Sequence, residues 1–112
     1  MAIQSIEIEN TPTTAITVPA STRYAILTVL VCNYSDPTAP GAGSEGTVFD
    51  MHFVKQGEPI SNANTVVRSA PMAAGETFTF DSEKLVLDEG DSIILVSDNP
   101  TNLSVTVSFL EV

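Results

Sequence analysis

The stretch Leu85 to Val96, LVLDEGDSIILV, sets Asp88, Glu89 and Asp91 around Gly90 between two apolar runs. Carboxylates this close are the residue type a calcium loop uses. Calcium, however, takes at least six oxygen ligands, drawn from alternating positions of an extended loop. Three acids within four residues cannot fill that shell, and Asp81 and Glu83 lie outside the local spacing. The pattern predicts instead a hairpin corner that binds no metal, with Gly90 taking a positive φ.

Nucleophilic chemistry has equally little to work with. His52 is the only histidine, and the strand pattern puts it on a polar face beside Asp50, as a surface or interface group. Cys32 is the only cysteine and ends an apolar run, the setting of a small buried hydrophobe and not of a reactive thiol. No serine pairs with a base and an orienting acid at any spacing that suggests a triad. Gly41, Gly43 and Gly46 are loosely spaced, with no following helix and no Lys-Ser or Lys-Thr end, so no phosphate loop is present. Tyr24 and Tyr34 are the only tyrosines and there is no Trp, which makes a poor sugar platform. The expectation is a non-enzymatic protein with no cofactor.

Charge narrows the partners. Fourteen acidic residues against four basic ones give a net charge of −10, spread along the chain. Arg23, Lys55, Arg68 and Lys84 stand far apart and form no basic patch. Nucleic-acid binding depends on neutralising phosphates, so an acidic surface of this kind excludes it and disfavours anionic membranes. The start MAIQSIEIEN lacks the features of a signal peptide, and no apolar run approaches the ~20 residues that span a bilayer.

The elements that would carry these residues read as strands. β-branched residues are abundant, Pro or Gly interrupts the chain at short intervals, and no window repeats at helical spacing. Residues 1–112 form a single domain on this reading, an all-β, jelly-roll-like antiparallel β-sandwich of eight or nine short strands. Tyr24 to Cys32 is apolar on both alternating faces except at Thr28, which predicts a central strand covered on both sides. The alternation places Leu27, Val29, Val31, Phe49, Met51, Phe53, Phe78, Phe80, Leu95, Val105, Val107 and Phe109 in the core. Residues 33–46 are rich in turn formers and read as a long flexible loop, and Ala70 to Gly75 as a connection.

Four segments carry a resemblance. Thr17-Val18-Pro19-Ala20, the apolar strand from Ile26 that ends in Cys32-Asn33, the Leu85-Val86-Leu87-Asp88-Glu89-Gly90-Asp91 turn and the alternating strand from Leu103 to Val112 together resemble small virion structural proteins of tailed bacteriophages. The likeness runs from Thr17 onward, and the PTAPGAGSEG insertion is longer than the hairpin expected there. It implies a β-sandwich particle component, either a capsid cement or decoration protein packed on the major capsid protein, or a neck, tail or fibre-associated protein. A receptor- or carbohydrate-binding module is the reading from another class. The implied location is the virion, with synthesis in the cytoplasm of a bacterial host. The partners are other virion proteins and copies of the chain itself, a trimer being one candidate order. Residues 1–12 are a candidate pairing or exchange strand, and Ile3, Ile6, Ile8, Tyr34, Pro37 and Pro40 are the expected interface residues.

Overall fold

The computed structural model describes residues 2–38, 45–80 and 85–112. These residues form a two-layer antiparallel sandwich with nine described strands: β1 (Ala2–Ile8), β2 (Thr13–Thr17), β3 (Tyr24–Asn33), β4 (Thr47–Val54), β5 (Thr65–Met72), β6 (Thr77–Phe80), β7 (Leu85–Leu87), β8 (Ser92–Ser97) and β9 (Leu103–Glu111). One sheet, here sheet A, has the order β1-β9-β3-β6, with β7 pairing further along β3; sheet B has the order β2-β8-β4-β5. Consecutive strands cross between sheets at most connections, and β4–β5 is a hairpin within sheet B. This is jelly-roll order, with β6 and β7 sharing the place of one strand.

Strand β3 is central, as its length and apolar content predict, between β9 on one side and β6 and β7 on the other. Inward side chains of the two sheets interdigitate around Val29, Val31, Phe49, Met51, Leu95, Val105 and Val107, all essentially inaccessible. Edge-to-face contacts of Phe49 with Phe78 and Phe53 with Phe80, at centroid distances of 5.4 and 5.5 Å, tie the two layers together. Phe109 stacks at a tilt on Tyr24 at 4.4 Å. Of these aromatics Phe49 is core, while Tyr24, Phe53, Phe78, Phe80 and Phe109 are partly buried at its margin. Ile8, Ile16, Val18, Ile26, Ile93 and Leu103 complete its centre.

Four expectations need correction. Leu27 is not core: the β3–β9 register shifts between Ile26 and Thr28, so a β-bulge turns Ile26 inward and leaves Leu27 38% exposed. Neither is β3 covered on both sides, because a two-layer sandwich covers only the inner face. Of the residues read as a connection, Ala70 to Met72 are strand, since they pair with Phe49, Val48 and Thr47, and only Ala73 to Gly75 form the turn into β6. His52 points away from the core yet is 3% exposed, because the Asn62–Asn64 3-10 turn and Thr65 lie over it. Thr65 Oγ1 donates its proton to Ser61 O at 2.8 Å, so His52 Nδ1 at 3.1 Å must be the donor to Thr65 Oγ1. This polar contact accounts for the burial of an imidazole on an outer face.

The bulge predicts opposite responses at neighbouring positions. Ile26→Ala should destabilise by ~2–4 kcal/mol through lost burial and a residual cavity, whereas Leu27→Ser should cost less than about 1 kcal/mol as a surface change. Urea unfolding of the two variants measures the difference, and equal losses would place both side chains in the core.

Candidate functional site

The acidic corner that most resembled a site is a structural joint. β7 belongs to sheet A and β8 to sheet B, so Asp88 to Asp91 forms a crossing between layers and not a hairpin within one sheet. Gly90 takes φ +82°, and a Cβ there would meet Gln56 at 2.5 Å. Each carboxylate has a separate task. Asp91 Oδ2 accepts the Asp88 N–H at 3.0 Å and its Oδ1 accepts the Gln56 N–H at 3.1 Å, fixing both the turn and the neighbouring connection. Glu89 Oε2 accepts the Ser21 N–H at 2.8 Å. Asp88 pairs with the guanidinium of Arg23 at 2.8 Å, with both side chains mostly exposed. Their lone pairs are directed to three different parts of the chain, which is the geometry of a tied corner.

At the opposite end of the sandwich, Asn33 and Asn102 organise the loops, a role the sequence reading missed. Asn33 is wholly buried; its Nδ2 donates to Met72 O at 3.0 Å and Glu45 O at 3.2 Å, and its Oδ1 accepts the Ser35 N–H. Asn102 Nδ2 donates to Glu45 O at 2.9 Å and to Ser35 Oγ at 2.7 Å. Both described ends of the 33–46 loop are therefore anchored. Within it, Asp36 accepts from the hydroxyl and the N–H of Thr38, which hold its carboxyl below the usual range.

The expected interface residues separate into distinct environments. Ile8 is core at 1% exposure. Ile3 and Ile6 are 66% and 41% exposed, but they project from opposite faces of β1. Tyr34 is half-exposed and reaches toward β1: its hydroxyl donates to Thr101 O at 3.2 Å, and partial burial and the nearby charge of Glu7 push its ionisation up. Pro37 is exposed and packs on the turn at Gly75, and Pro40 lies outside the described residues. The structure thus joins Tyr34 to β1 and leaves Pro37 elsewhere.

What emerges as a surface is the outer face of sheet A. Val86, Ala25 and Leu110 stand in one row across β7, β3 and β9, and the bulged Leu27 and Ile3 follow in the next. Ile3, Leu27, Val86 and Leu110 are half of the eight large hydrophobic side chains that the described residues leave exposed. Toward the Tyr34 end the face changes to small hydroxyls, including Ser5, whose Oγ lies 3.0 Å from Thr106 Oγ1. Among the described strand residues on this face only Glu7 is charged. The outer face of sheet B differs, carrying Asp50 paired with Arg68 at 3.1 Å.

The described clefts contain no comparable chemical apparatus. One lies between Asn10, Asp50, Ser69, Asp98 and Asn99. Its Asp50 is occupied by Arg68 and by the Ser69 N–H at 2.7 Å, and its only aromatic, Phe49, is 1% exposed. Among the described residues no group of His, Cys, Asp and Glu is disposed to hold a metal ion. No family model, no curated protein and no solved structure matches the chain.

Unequal roles for the corner carboxylates have a measurable consequence. Asp91→Ala removes the acceptor for two backbone N–H groups and should cost about 1–3 kcal/mol, while Asp88→Ala breaks only an exposed ion pair worth about 0–1 kcal/mol. Denaturant midpoints should rank Asp91→Ala well below Asp88→Ala. At the other end, Asn33→Ala, which leaves the buried Met72 carbonyl without its side-chain donor, should lose about 2–3 kcal/mol by the same measurement.

Proposed function

We propose that the protein is a non-enzymatic structural component of a bacteriophage particle, a capsid cement or decoration protein that docks on the shell through the outer face of sheet A. The observation that carries this reading is the partly apolar face, on whose described strand residues Glu7 is the one charge, on a chain of net charge −10. Strongly acidic proteins ordinarily distribute charge over exposed sheet faces for solubility. A face left nearly free of it, with Ile3, Leu27, Val86 and Leu110 grouped in neighbouring rows at one end, is the composition of a surface that becomes covered.

Size is adequate. The molecule measures 48 × 29 × 21 Å, so its broad faces are large enough to bury the ~800 Å² per partner of a standard stable interface. Jelly rolls serve as capsid and lectin modules among others, so the topology is compatible without choosing. The reading is supported by the nearly uncharged outer face of sheet A, by carboxylates engaged as turn acceptors, and by the sequence resemblance to virion proteins. Neck and tail positions are the alternative within the same class, and the location of the protein in a particle map separates them.

Mass spectrometry of gradient-purified particles should find the chain in many copies per particle. Val86→Lys combined with Leu110→Lys should fold with an unchanged melting temperature and lower particle occupancy at least tenfold. Full occupancy of that double variant would overturn docking through this face, and absence of the wild-type chain from particles would overturn the functional reading.

A further inference from the structure

The jelly roll has four sheet edges, and they are not protected alike. β2 spans only Thr13–Thr17 and is broken by a register shift between Thr14 and Ile16. β5 carries Pro71, Arg68, Ser69 at φ +51° and two register shifts. The third edge is divided between the four residues of β6 and the three of β7. Short length, Pro, bulges and cations are the devices by which sandwich edges avoid pairing with another chain. β1 has none of them. Its seven residues pair with β9 in unbroken register, without Pro, Lys or bulge, and among the described residues no strand lies beyond it.

We infer that β1 pairs antiparallel with β1 of a second copy about a two-fold axis at Ser5, joining the two A sheets edge to edge. This inference rests on the reading of the chain as a repeated structural part. A two-fold axis perpendicular to the sheet keeps each face on its own side, so opposed residues must share parity. Only the register centred on Ser5 pairs all seven residues of the strand. It sets Ser5 opposite Ser5 of the second copy, Ile3 opposite Glu7 and Gln4 opposite Ile6.

Charge and apolar exposure select the same arrangement. Parallel, in-register pairing would align Glu7 with Glu7 and Glu9 with Glu9, and like charges directly opposed are destabilising. In the antiparallel form Glu7 and Glu9 of each copy lie toward opposite ends of the joint. Ile6, 41% exposed at the open rim of the core, gains the aliphatic stem of Gln4 as a cover, and that stem is already positioned by its Nε2 donating to Ala15 O at 3.0 Å. The outer faces of the two A sheets become one surface, with the two Glu7 side chains beside the joint, which doubles the apolar area available for docking.

Cysteine scanning in purified full-length protein tests this register. With Cys32→Ser as background, Ser5→Cys places two thiols on directly opposed residues, whose Cβ atoms are ~5 Å apart. Ile3→Cys places its pair four residues apart along the joint, roughly 14 Å, and the exposed Ala63→Cys serves as a control remote from β1. A short bismaleimide should trap Ser5→Cys as a covalent dimer at least tenfold faster than either of the other variants. Equal rates for Ser5→Cys and Ala63→Cys would overturn the pairing; equal fast rates for Ser5→Cys and Ile3→Cys would overturn its antiparallel register. The measurement is made in solution and the docking face is tested by particle occupancy, so either result can fail while the other stands.

Discussion

The β3–β9 ladder is the contact on which the other features depend. Nine register pairs join Tyr24–Asn33 to Leu103–Glu111, bringing together segments some three-quarters of the chain apart. β1 needs β9 as its template and β6 and β7 need β3, so sheet A has no partial form without this ladder. Its interior pairs, Val29 with Val107 and Val31 with Val105, are the floor on which sheet B rests. At one end the ladder closes on Asn33 opposite Leu103, next to Asn102, and the two amides grip the Glu45 carbonyl. Along its length the bulge at Leu27 decides which residues look inward. One ladder therefore sets the core, the anchoring of the loops and the composition of the exposed face.

Strand content was legible because period-two alternation is local. Leu103 to Phe109 alternates cleanly, and its inward and outward sets are those the pattern predicts. The bulge in β3 was hidden for the same reason: Ala25, Ile26, Leu27, Val29 and Leu30 are all apolar, and the single polar residue among them, Thr28, does not mark where the parity slips. Burial of His52 was also illegible, since its cover comes from Thr65 and the Asn62–Asn64 turn, and their approach depends on how the β4–β5 hairpin folds back. Gly90 could be read correctly as a positive-φ glycine. That its turn crosses between sheets could not, because an apolar run on each side is common to hairpins and crossings.

The acidic residues, which first suggest chemistry, act in the described structure mainly as acceptors for backbone N–H groups. Asp91, Glu89, Asp50, Glu76 and Asp36 each accept from at least one main-chain donor in a loop or at a bulge. A sandwich built from nine short strands has many connections, and every connection leaves N–H groups without ladder partners. Short carboxylates satisfy them at low steric cost. The negative charge of the described residues is in this sense partly a by-product of their turns.

With the described carboxylates engaged in the connections, the outer face of sheet A carries Leu27, Leu30, Val86 and Leu110 and, among its described strand residues, only Glu7 as a charge. The two-faced apolar character of β3 is then not an error in the sequence pattern. A third layer is what such a strand ordinarily implies, and a chain of 112 residues folded as two layers does not supply one. Burying apolar surface is worth about 25 cal/mol per Å², and the unfulfilled part of that gain resides on this face. The proposed edge pairing through β1 and the proposed docking through sheet A are complementary in this respect: the first would extend the surface in its own plane, and the second would provide the layer that the strand pattern lacks.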